Sequence, residues 1–265
     1  LRTDFLDMGY GIEARFNRSR KFWLPHIKLC QELQREIFKD YNKNSIVTIL
    51  GAGRLIDVDI EFLESTSKVL RLVDADPSLP PLWRNKVQRK NKLLSLIMEI
   101  TQLIDIWTES LELFLASKFK QSEIENFFYD LKPKFGIDLC LPNTNQVIFS
   151  QNILGQLGIY WRDRVYNILV RKQVIEDGDP LPTGIGIALS HSVKLLEQQH
   201  IDTLCSSKAD RILLITDTHY HYYKQNVASC QTDMALGLDM DRHIKRAFSV
   251  SGYREVEQKS WLWSS

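Results

Sequence analysis

Short apolar runs rich in β-branched residues alternate along the chain with longer stretches in which apolar positions recur every three to four residues, the pattern of strands joined by crossover helices. The first run is Ile46-Val-Thr-Ile-Leu50, the second Val69-Leu-Arg-Leu-Val-Asp74, and the third spans Leu93 to Ile100 with Glu99 near its end. Gln146-Val-Ile-Phe149 and Arg211-Ile-Leu-Leu-Ile215 supply two more, and the tail from Gly252 to Trp263 alternates polar and apolar positions as an edge strand does. Helical periodicity predicts helices near 56–66, 82–90, 107–129, 161–174 and 186–204, with Pro77, Pro80, Pro81 and Lys132-Pro133 as breaks. Ahead of the first strand, Ile27, Cys30, Leu33 and Ile37 recur at helical spacing. Pro25 suits the first turn of that helix, where a missing N–H costs nothing. These elements predict one α/β unit: a doubly wound, mostly parallel sheet over residues 45–265, preceded by an N-terminal helical cap over residues 1–44. There is no internal repeat or low-complexity linker to mark a second domain.

Composition narrows the chemistry. Among 265 residues, 34 Lys and Arg stand against 33 Asp and Glu, so the chain lacks the overall basic field of a nucleic-acid binder and a small-molecule substrate is favoured. The four cysteines at 30, 140, 205 and 230 include no Cys-x-x-Cys pair, which argues for reduced thiols rather than a structural zinc. No apolar run is long enough to span a bilayer, and the first thirty residues are too charged for an export signal. A cytoplasmic location is the expectation.

The most informative segment is the end of the first run. Leu50 is followed by Gly51-Ala52-Gly53, a turn that lets backbone approach a ligand, and the second run ends in Asp74-Ala75, where one carboxylate can accept from two vicinal ribose hydroxyls. Ile56 stands where a dinucleotide fingerprint has its third glycine, which favours a nucleotide-type ligand without a pyrophosphate. In these residues the chain resembles the class I S-adenosylmethionine-dependent methyltransferases, in motif over about 46–76 and in layout over about 46–265. The resemblance implies a seven-stranded sheet with an antiparallel last strand, a place the tail's alternation suits. It also implies S-adenosylmethionine as cofactor, held by Gly51, Ala52, Gly53, Asp74, Ala75, by Glu99 at the adenine amino group and by Ser150. Ile49 replaces the acid that usually precedes the first glycine by two places. The alternatives are an NAD-dependent oxidoreductase and a Rossmann-like binding protein without catalysis.

Further candidates lie at strand ends. Gln151 and Asn152 follow the fourth run, where the family binds cofactor or substrate, and no prolines follow them, unlike the amino-group methyltransferases. Their amides can orient a substrate, with helix capping by Ser150 or Asn152 as the plain alternative. Asp217-Thr-His219-Tyr-His221 offers His219 as a general base; as a metal site it lacks a third ligand at recognisable spacing, and no metal is expected. Asp57 reads as a helix cap and Asp76 as a turn residue, while His191 and His200 lie in helical stretches. Tyr10, Arg15 and Arg18, among further aromatic and basic residues before the first strand, form either a solvated face or a lid whose arginine binds the ligand carboxylate. Methyl transfer from a sulfonium needs proximity and alignment before it needs a catalytic residue, so the acceptor leaves no signature.

Overall fold

Five of the apolar runs become the strands of one sheet. The computed structural model describes residues 3–39, 41, 45–133, 145–223, 230–239 and 242. In it β1 (Ser45–Leu50), β2 (Ser67–Asp74), β3 (Leu93–Ile97), β4 (Gln146–Gln151) and β5 (Arg211–Ile215) pair in the order β3-β2-β1-β4-β5, all parallel. Every residue of β1 and β4 is buried, as centre strands require when helices cover both faces. Side chains divide by parity: Val47, Ile49 and Phe149 face a layer containing Leu63 and Trp83, whereas Leu50, Val73 and Ile148 face Ile100 and Leu204.

The helices are α1 (Thr3–Ile37), α2 (Ile60–Thr66), α3 (Leu79–Lys86), α4 (Leu103–Phe114), α5 (Gln121–Asp130), α6 (Leu154–Arg171) and α7 (Thr183–Ser206). α2 and α3 lie on the first face with the end of α1, while α4 to α7 form a layer around Trp107, Phe128 and Trp161. Among the described residues no helix is long and apolar enough to cross a membrane.

Several expectations are corrected. A seven-stranded sheet with an antiparallel last strand is not supported: the described sheet has five strands, all parallel. Among the described residues β6 (His219–Tyr223) and β7 (Cys230–Met234) pair only with each other, as an antiparallel ribbon. The His-Tyr-His-Tyr-Tyr of β6 lacks the aliphatic run that a buried parallel strand presents to two helical layers. The tail from 252 to 263, with Trp261 and Trp263, lies outside the described residues. The helix expected over 56–66 begins only at Ile60, because Asp59 caps it through Phe62 N–H. The stretch 107–129 is two helices, the second opened by the Glu123 carboxylate accepting from Lys120 N–H.

The largest difference is α1. Pro25 lies inside it rather than in its first turn, and the helix breaks instead at Ser19 (φ −116°, ψ 18°). Ser19, Trp23, His26, Ile27, Cys30 and Gln34 make its buried stripe, which Phe38 continues just past the helix end. Phe38 sets α1 on the sheet by meeting Phe62 and Phe149 edge-on, with ring centroids 5.8 and 6.2 Å away. A helix of 35 residues is about 52 Å long, against about 20 Å for a six-residue strand, so the first half of α1 overhangs the carboxyl ends of the strands.

Behind β4, the His200 imidazole of α7 is fully buried with Nε2 2.7 Å from the Ser150 hydroxyl, and burial lowers its pKa from 6.5 to about 4. Between those values the unfolded chain binds a proton that the folded protein refuses, so this group removes stability as pH falls through the window. The difference amounts to roughly 3 kcal/mol. His200→Gln keeps a partner for Ser150 without titrating. Urea unfolding at pH 6.5 and at about pH 4 is expected to show a smaller acid loss in the variant than in the parent by about that amount.

Candidate functional site

The glycine turn is built by backbone demands. Gly51 and Gly53 have φ of +70° and +46°, and the N–H groups of Gly51 and Ala52 both donate to Val73 O, at 3.0 and 3.1 Å. A Cβ on Gly51 would lie 3.1 Å from Ile153 Cβ and 3.2 Å from Gln151 O, so both conformation and crowding exclude a side chain there. Asp74 closes the turn: its Oδ2 accepts from Gly53 N–H at 2.8 Å and its Oδ1 from Asp76 N–H at 3.0 Å. The fully buried Trp83 adds an indole N–H to Gly53 O at 2.8 Å. The residue is only half-buried, so a further donor can reach its carboxylate. Asp76 is the turn residue the sequence suggests, accepting from Ser78 N–H.

The chain leaves β1 toward β2 and leaves β4 toward β5, and the strand order therefore reverses between β1 and β4. Ligands of open α/β sheets bind in the crevice at such a point. Here it is bordered by Gly51 and Ala52 on one side and by Gln151 and Asn152 on the other. Gln151 is 3% exposed, yet neither atom of its amide has a hydrogen-bond partner among the described residues, and Asn152 Oδ1 has none either. Buried amides seldom stay unpaired, because the lost hydration costs about 1–3 kcal/mol per group. Leu55 (φ +56°) and Asn152 (φ +55°) hold left-handed conformations on the two sides of the crevice, the kind of local strain that gathers at functional sites.

Other candidates are engaged elsewhere. Glu99 is buried rather than solvated, and its carboxylate caps α4, accepting from Thr101 N–H and hydroxyl and from Ile104 N–H. Ser150 is turned to His200. Asp57 is not a cap: its Oδ2 accepts from Asn152 Nδ2 at 3.0 Å, which joins the loop after β1 to the end of β4. Asp217, at the end of β5, has its pKa raised to about 6 by burial. His219 opens β6 immediately beyond it.

From α1, Tyr10 lies under the Arg54 guanidinium at 4.8 Å and Glu13 pairs with Arg54 at 2.8 Å, so the overhanging half rests on the glycine turn through one arginine. Arg15 and Arg18 are exposed. Sequence reasoning missed His26 and Cys30, which project from α1 toward Asp57 and Asn152. Their spacing of four within a helix was the available signal.

No protein-family model, curated protein or solved structure matches the chain. Since Asp74 carries two backbone N–H groups, Asp74→Ala is expected to lower the unfolding free energy by roughly 2 kcal/mol, the cost of leaving such donors unpaired. Denaturant unfolding measures it; stability equal to the parent's would mean that the carboxylate does not hold the turn.

Proposed function

We propose that this protein binds S-adenosylmethionine in the crevice between β1 and β4 and transfers its methyl group to a small molecule. The observation that carries the reading is the coincidence of the glycine turn, the Asp74 carboxylate, the unpaired Gln151 amide and the unpaired Asn152 Oδ1 at the place where the strand order of the described sheet reverses. In this reading Gly51, Ala52 and Gly53 let the ligand approach backbone, and Asp74 with Ala75 receives the ribose hydroxyls on its half-exposed side. Gln151 and Asn152 face ligand or acceptor with their unpaired amide atoms. Glu99 and Ser150 serve indirectly, one by fixing the start of α4 and the other by tying β4 to α7.

The cofactor, when bound, supplies a methyl group on a sulfonium that is already a good leaving group. The chain supplies position and exclusion of water, with the first half of α1 as cover. Asp217, its pKa near neutrality, is the carboxylate suited to take a proton from an acceptor that must lose one.

Calorimetric titration with S-adenosylhomocysteine and with NAD tests the reading. S-adenosylhomocysteine is expected to bind and to raise the melting temperature by mass action, NAD to do neither, and amide exchange over residues 10–24 to slow when the ligand is present. Binding of NAD alone would replace methyl transfer by hydride transfer, and binding of neither would overturn both cofactor readings.

A further inference from the structure

Beside the crevice, three different metal-ligating side chains converge from two parts of the chain. His26 and Cys30 stand four residues apart on one face of α1, with Cys30 Sγ 3.5 Å from His26 Nε2. Asp57 comes from the loop after β1, and one donor atom from each of His26, Cys30 and Asp57 falls within a common 4.8 Å. Asn152 binds the same group from the β4 side, its Nδ2 3.0 Å from Asp57 Oδ2 and 3.4 Å from His26 Nε2. We propose that His26, Cys30 and Asp57 form a binding site for zinc or a similar divalent transition-metal ion, with a fourth coordination position open toward the crevice.

The donor set selects the ion. Thiolate and imidazole are the ligands of zinc and its neighbours, whereas magnesium and calcium take oxygen alone. Tetrahedral zinc, with bonds of about 2.0–2.3 Å, separates its ligand atoms by roughly 3.3–3.8 Å. The His26–Cys30 distance of 3.5 Å already lies in that interval, and the remaining atoms need only a modest inward shift. The sulfur is nearly equidistant from the two ring nitrogens, at 3.5 and 3.8 Å, so it meets the imidazole ring rather than one lone pair. Coordination therefore turns the ring until Nε2 points into the triad. Three protein ligands and one open position are the composition of catalytic rather than structural zinc sites.

Protonation is consistent with this assignment. Burial lowers the pKa of His26, which keeps the imidazole neutral and its lone pair available. Burial raises the pKa of Cys30, with Asp57 and Asp217 adding to the rise, so the thiol keeps its proton until a cation displaces it. Binding then forms the metal–sulfur bond and releases the Cys30 proton to solvent, with no change of oxidation state. Asn152, donating to Asp57, orients that carboxylate in the manner of the outer hydrogen bonds that tune metal sites.

The test uses the full chain, reduced and freed of metal by a chelator, titrated with cobalt(II) as a spectroscopic substitute for zinc. One equivalent is expected to bind, giving intense tetrahedral d–d bands and a thiolate-to-cobalt charge-transfer band, both erased by zinc. Cys30→Ser should remove the charge-transfer band, His26→Ala and Asp57→Asn should weaken binding by more than tenfold, and Asn152→Ala by about 10- to 100-fold. Because Cys30 is fully buried and its variant can misfold, X-ray absorption of the zinc-loaded parent protein gives a reading that needs no substitution. One sulfur neighbour among nitrogen and oxygen ligands supports the site; a shell without sulfur, or with more than one, overturns it. So does the absence of stoichiometric binding, or a charge-transfer band that survives in folded Cys30→Ser and therefore belongs to another cysteine. S-adenosylhomocysteine calorimetry on the chelated protein is independent of these outcomes, so failure of one reading leaves the other standing.

Discussion

β1 and β4 lie at the centre of the sheet with no exposed residue, and a strand so placed has its backbone committed on both edges and its side chains covered on both faces. The demand to keep that pair dry accounts for helical layers on two sides and for a histidine held neutral behind Ser150. It also decides where polarity can collect. Polar side chains along the strands, Ser45 and Thr48 among them, are sealed from solvent, so the polar groups that a ligand can meet lie where the strands stop: Gln151, Asn152, Asp217 and the glycine turn.

Two attachments at that rim differ in strength. The glycine turn is fixed from below by two backbone donors on Asp74 and by a buried indole on Gly53 O. The far half of α1 meets the turn through Arg54, whose side chain is 11% exposed while that of its partner Glu13 is 43% exposed. Water at the Glu13 end screens the pair, and most other side chains of that half face solvent. The near half of α1 is held by Phe38 and by Arg211, which donates to the carbonyls of Ile37 and Lys39. Lifting the outer part away from Ser19 thus costs far less than detaching the inner part, and the break in helical geometry at Ser19 lies between them.

The strands and most helices were legible because burial on both faces writes a continuous apolar run and burial on one face writes a helical period. The glycine turn and Asp74 were legible as a pair since both sit where such runs end. What escaped depended on partners that periodicity does not show, several of them distant in sequence. Asp57 reads as a helix cap until Asn152, 95 residues away, is seen to donate to it. Glu99 reads as a strand-end acid until the start of α4 turns back on it. His26 and Cys30 fit an apolar helical stripe, and only the approach of the β1 loop distinguishes them from core. The strand count differs for a local reason: β6 carries aromatic and imidazole side chains, and among the described residues the sheet's edge stays at β5.

The anchoring of α1 to β5 also orders events during synthesis. Arg211 reaches the Lys39 carbonyl across 172 residues of sequence, whereas Arg35 pairs with Asp59 and Gln34 accepts from Asp59 N–H, so α1 has a nearby anchor before it has a distant one. Contacts of long separation form late, after intervening loops have closed. Phe38 can meet Phe62 once the β1 and β2 region is made, but Phe149 arrives with β4 and Arg211 with β5. The seat of α1 on the sheet is therefore completed in stages, and its clamp on the Lys39 carbonyl waits for a strand 172 residues further along the chain.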